Sequence, residues 1–80
     1  MKKYPIQINN IEDITTFVRT VTKFSYDVDL CKGSIVIDAK SILGIMTICP
    51  NPKLEMIIYS NEHEDILESL SDFLLEEKTA

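Results

Sequence analysis

Apolar residues alternate at Tyr4, Ile6 and Ile8, with Lys3, Pro5 and Gln7 between them. A period of two predicts a half-buried strand, and Pro5, which has no N–H to give a ladder, assigns it to an edge or turns that position outward. Asn9-Asn10 ends the alternation. From there Ile11, Ile14, Phe17, Val18, Val21 and Phe24 recur at helical spacing and predict an amphipathic helix. Asn10 suits its N-cap, and Asp13 is placed to return a bond as an acidic capping box. Val28 and Leu30 alternate with Asp27, Asp29 and Cys31, Lys32-Gly33-Ser34 turns the chain, and Ile35-Val36-Ile37 returns as the hairpin partner.

Ser41 then precedes Ile42, Leu43, Ile45, Met46 and Ile48, a short helix that stops by Pro50-Asn51-Pro52. Leu54, Met56 and Ile58 form one face of a fourth strand, with Glu55, Ile57 and Tyr59 on the other. Ser60-Asn61 is expected to cap a last helix whose buried stripe is Ile66, Leu67, Leu70, Phe73 and Leu74, fraying after Glu77. The order is βαββαβα. It predicts an α+β fold, an open-faced β-sandwich with a four-stranded antiparallel sheet and three helices on one face. Val36, Ile57 and Tyr59 are expected on the uncovered side, where Ile57 and Tyr59 offer a surface for a weak homodimer; the alternative is a monomer.

Composition narrows the classes. Eighty residues without repeat or linker make one domain, 1–80, and 45% hydrophobic with 26% charged residues describes a globular chain. A net charge of −5 without a basic cluster argues against nucleic acid. No run reaches membrane-spanning length, and the residues after Met1-Lys2-Lys3 lack the apolar run of a signal peptide, so a cytoplasmic location is expected. Cys31 and Cys49 have no metal-ligand spacing and read as free thiols. Neither a metal nor a cofactor is expected, nor an enzymatic activity.

The segment from Ser41 has too many apolar residues for one stripe of a short helix, so some of Ile42, Leu43 and Met46 are expected to stay on the surface beside a hydroxyl at a helix start. That serine is either a plain cap or the switch of a docking site. Lys40-Ser41-Ile42-Leu43-Gly44-Ile45-Met46 resembles the regulatory-serine segment of HPr, the small phosphocarrier of the bacterial sugar phosphotransferase system. Thr22-Lys23-Phe24 resembles the end of that family's first helix. The spacing between the two fits without a gap, and the likeness runs from about Tyr4 to Glu77. The HPr fold is an open-faced sandwich, in agreement with the periodicity.

The resemblance implies a phosphate-carrying histidine at the start of the first helix, within Gly-Leu-His-Ala-Arg-Pro. Counting back from Thr22-Lys23-Phe24, the histidine position falls on Asn10, the arginine on Glu12 and the proline on Asp13. An amide nitrogen is a poor nucleophile, and two carboxylates repel a phosphoryl donor carrying about two charges. The expectation is a degenerate carrier site. His63, the only histidine, sits among Glu62, Glu64 and Asp65 and reads as a solvated surface residue rather than a substitute carrier. Glu68-Ser69-Leu70-Ser71 faintly resembles the acyl carrier protein site, but those proteins are helical bundles and this chain has four strand-like runs.

Two functions remain. Some HPr-like proteins lack the histidine, keep the serine and act as phosphoserine-dependent partners of a transcriptional repressor. On that model HPr kinase phosphorylates Ser41, Lys40 and the helix N-terminus steady the charge, and Ile42, Leu43 and Met46 make the apolar contact with a catabolite-control repressor. The alternative is a non-phosphorylated protein-binding module on the same fold.

Overall fold

The computed structural model describes residues 3–49 and 51–75, with the backbone alone for 51–53. Seven elements follow one another: β1 (Lys3–Ile8), α1 (Ile11–Thr22), β2 (Val28–Lys32), β3 (Ile35–Asp38), α2 (Ile42–Met46), β4 (Asn51–Ile58) and α3 (Glu64–Ser69). The strands form one sheet in the order β1-β4-β2-β3, every neighbouring pair antiparallel. Ile6, Ile8, Val28, Leu30, Leu54, Met56 and Ile58 point from the sheet into one buried cluster with Ile14, Phe17, Val18 and Val21 of α1, Ile45 of α2 and Ile66 of α3. All three helices therefore share one face, as the alternation predicted.

The edges of the sheet are treated differently. β1 is an edge strand, and the Pro5 carbonyl points away from β4 to accept a bond from the Leu75 N–H at 2.9 Å. In an antiparallel strand a residue's N–H and C=O point the same way, so the missing donor of Pro5 falls on the outer side and leaves no gap in the ladder. The β2–β3 hairpin turns at Gly33, whose φ of 61° is the left-handed conformation that glycine adopts without strain.

Four expectations are corrected. The last helix stops at Ser69 instead of running through Leu74. Leu70 and Phe73 remain buried in the turns that follow, but the Phe73 carbonyl accepts from the Gln7 N–H at 2.9 Å and Leu74 bridges Ile6, bonds to β1 that a continuing helix could not make. Ser60 does not cap that helix: its hydroxyl turns onto Glu62, and His63 occupies the N-cap position without a side-chain cap bond. Ile11, read as part of the buried stripe, is 68% exposed: it opens α1 one turn before Ile14, the first residue of that helix to reach the core. His63 is half-buried rather than solvated. Its Nδ1–H donates to the Ser60 carbonyl at 2.6 Å, so in the neutral ring Nε2 accepts from the Tyr4 hydroxyl, also at 2.6 Å.

On the open side of the sheet, Val36 is exposed, Ile57 is half-buried, and Tyr59 donates to Asp29 Oδ2 at 2.9 Å. Cys31 lies on that side too, yet is buried. The helix stop at Pro50 and the fraying after Glu77 lie outside the described residues.

Candidate functional site

Two helix starts lie on the helical side of the molecule. At the first, Asn10 has extended backbone and its side-chain oxygen accepts the Asp13 N–H at 2.8 Å, satisfying one of the donors a helix leaves unpaired. The Asp13 carboxylate reaches back, but to the Asn9 N–H at 3.1 Å, one residue upstream of where a capping box would place it. Glu12 is exposed beside it. The first turn of α1 therefore carries two carboxylates, which suit the helix dipole but set a negative field where an anion would bind.

At the second start, Ser41 also has extended backbone, and its hydroxyl accepts the Gly44 N–H at 3.0 Å. No acidic residue stands in that first turn. Gly44 matters here: a Cβ on it would lie 3.2 Å from Ser41 Oγ, so the absent side chain keeps the hydroxyl uncrowded. Ile45 is buried and anchors α2, while Ile42 (44%), Leu43 (78%) and Met46 (47%) are exposed. Lys40 does not stand free beside the serine. Its ammonium donates to the Phe24 carbonyl at 2.9 Å, just past the carboxyl end of α1.

α1 and α2 are in contact, and between them opens a cleft of about 260 Å³ lined by Asn9, Asn10, Ile11, Ile14, Met46 and Cys49. Partial burial pushes the Cys49 thiol up from its ordinary pKa, with Lys32 pulling weakly the other way, so near neutral pH it is a protonated, poorly nucleophilic wall. Met46 thus joins the segment of Ser41 to the cleft at Asn10, two sites 31 residues apart in the chain. The periodicity of the chain had not signalled this cleft, since neither helix encloses it alone. A second, acidic cleft is lined by Tyr26, Asn61, Glu62, Glu64, Asp65 and Glu68. Among the described residues no group of three or more His, Cys, Asp or Glu is placed to hold a metal ion. Among them, too, no helix is long and apolar enough to cross a membrane.

The model of the PTS HPr component phosphorylation site matches residues 12–76. The chain belongs to the HPr family. Solved HPr structures agree with it in fold. HPr-C-His from Thermoanaerobacter tengcongensis is 28% identical, with a TM-score of 0.75 over 90% of this chain and 89% of its own. The phosphocarrier protein HPr from Bacillus anthracis is 21% identical, with a TM-score of 0.73 over 92% of this chain and 96% of its own. The histidine-containing phosphocarrier protein of Mycoplasma is 13% identical, with a TM-score of 0.72 over 89% of each chain. No curated protein matches. The family match begins at Glu12, just beyond Asn10. The HPr family is one of small proteins that work by contact with other proteins of the phosphotransferase system.

Proposed function

We propose that this chain is a regulatory, non-enzymatic HPr-family protein of the cytoplasm whose carrier site is degenerate and which acts through phosphorylation of Ser41. The observation that carries the reading is the contrast at the two helix starts. Asn10 stands where the family pattern has histidine, beside Glu12 and Asp13, whereas Ser41 offers an uncrowded hydroxyl with no acidic residue in the following turn. An imidazole with free lone pairs is needed to accept a phosphoryl group near neutral pH, and His63 has both ring nitrogens engaged.

HPr kinase with ATP is the proposed modifying partner, and a catabolite-control repressor the proposed reader. A dianion on Ser41 Oγ would sit at the amino end of α2, where a helix dipole contributes about 0.3–1 kcal/mol, and the low end applies to a helix of five residues. Direct help from Lys40 requires its ammonium to leave the Phe24 carbonyl. Ile42, Leu43 and Met46 supply apolar contact around the phosphate. Incubation with HPr kinase and ATP should add one phosphate to the wild type and none to Ser41→Ala. Absence of label, or equal label on both, sinks the reading.

A second reading, a binding module that needs no phosphate, draws support from the acidic residues at α1 and from Lys40 being already engaged. It predicts that wild type, Ser41→Ala and Ser41→Asp recover the same partners equally from a pulldown.

A further inference from the structure

The two edges of the sheet differ in what meets them. Along β1 the Gln7 N–H donates to the Phe73 carbonyl and the Pro5 carbonyl accepts from the Leu75 N–H, both at 2.9 Å, so residues 73–75 close that edge. β3 is the opposite edge. Just past it, the Ala39 N–H donates to the Val28 carbonyl at 2.9 Å. Backbone groups of successive strand residues alternate in direction, so those of Ile35 and Ile37 also face β2, and those of Val36 and Asp38 face outward. The outward Asp38 carbonyl is taken by the Ser41 N–H at 3.0 Å. Among the described residues nothing bonds to the N–H or the C=O of Val36. Ile35 and Val36 themselves are 50% and 58% exposed. Unpaired backbone groups flanked by β-branched side chains make a template for another strand.

The edge is complementary to itself. Two copies of β3 placed antiparallel about a two-fold axis at Val36 exchange both Val36 hydrogen bonds, since its N–H and C=O point the same way. That register sets Val36 against Val36 on the open side of the sheet and Ile35 against Ile37 on the helical side, apolar on apolar. It also brings each Asp38 alongside Ser34 in the turn of the other copy, a hydroxyl instead of a second carboxylate. Sliding either copy by two residues takes that hydroxyl away from Asp38, so one register is favoured. We propose that β3 pairs with β3 of a second copy of this chain, joining two four-stranded sheets into one. The strand has four residues and each copy carries a net charge of −5, so the association is weak, with a dissociation constant of roughly 0.1–1 mM. The inference goes beyond the Ser41 reading and needs no phosphate. It differs from a contact through Ile57 and Tyr59, which would stack open faces and leave the edge unpaired.

The test uses the full unphosphorylated chain, followed by sedimentation and by NMR amide exchange from about 0.02 to 2 mM. Expected is a monomer at the low end and mostly dimer at the high end. Exchange of the Val36 amide should slow about three- to sevenfold across that range, as the monomer fraction falls, while the Ile37 amide, which faces β2, changes less. Val36→Pro removes a donor that the β2 ladder does not use, and should leave a monomer at every concentration. Val36→Lys sets two ammonium groups against each other at the two-fold axis and decides the matter if the proline variant does not fold. Ile57→Lys should dimerise as the wild type does. A wild type monomeric throughout, a dimer that survives Val36→Lys, or one lost on Ile57→Lys would overturn the proposal. So would association that leaves Val36 exchange unchanged, which would assign the contact to another surface.

Discussion

The starts of α1 and α2 use the same device for opposite ends. In both, an extended N-cap residue lends a side-chain oxygen to the N–H three positions on, Asn10 to Asp13 at 2.8 Å and Ser41 to Gly44 at 3.0 Å. What differs is the turn that follows. Glu12 and Asp13 fill the first turn of α1 with negative charge, whereas the first turn of α2 has none and carries a glycine where a side chain would crowd the cap. Backbone geometry alone therefore does not make an anion site. The helix end supplies about half a positive charge, and two neighbouring carboxylates reverse it.

The sharpest way to break the comparison is to place an imidazole at position 10. Asn10→His should stay unlabelled by the general phosphotransferase of the system, because Glu12 and Asp13 still repel the donor. Adding Glu12→Arg and Asp13→Pro should yield an acid-labile phosphate on that histidine. Label on the single variant would show that charge does not govern the site.

Next in size are the caps themselves. Asn10→Ala and Ser41→Ala should each cost about 1 kcal/mol in denaturant unfolding, within the usual 0.5–2. The larger loss is expected at Asn10, since α1 places four buried residues in the core and α2 one. A greater loss at Ser41 would mean that its hydroxyl supports more than a five-residue helix.

Gly44→Ala probes the crowding. Replacing glycine inside a helix gains about 1 kcal/mol, offset here by a Cβ only 3.2 Å from Ser41 Oγ. Net stability should change by less than the propensity gain, while the proposed phosphorylation of Ser41 should slow. Full stabilisation with unchanged kinetics would show that the hydroxyl has room to move.

The smallest effect lies away from both starts and serves as a control. The hydrogen bond to Asp29, with some desolvation, raises the pKa of Tyr59. A raised acid contributes stability that is complete below the unfolded value, about 10, and lost as pH rises through the folded value. Stability of wild type should fall more steeply above about pH 10 than that of Tyr59→Phe, with no difference at pH 7 to 9 beyond the lost hydrogen bond. Parallel curves would refute the coupling.

Much of this was legible from residues a few positions apart. The alternation from Tyr4 to Ile8 and from Leu54 to Ile58 marked strands with one buried face, and Pro5 marked an edge. The boundaries of α3 were not legible, because Leu70, Phe73 and Leu74 keep helical spacing while the chain passes through turns to bond with β1. His63 was misread for the same reason: its partner Tyr4 is 59 residues away, and nothing near it announces the contact. Ile11 fits the apolar stripe by spacing, but the core takes up α1 only from Ile14 onward.

The sequence by itself determined the layer architecture, the two capping residues, the absence of an imidazole at Asn10 and the sign of the charge beside it. Each depends on periodicity or on bonds reaching three or four positions, which the order of residues encodes directly. Tertiary structure alone decided that Met46 and Cys49 close a cleft over Asn10, that Lys40 is bound to the end of α1, and that residues 73–75 shield β1. Those contacts join segments far apart in the chain, and they come into being only when the core brings three helices onto one face of the sheet.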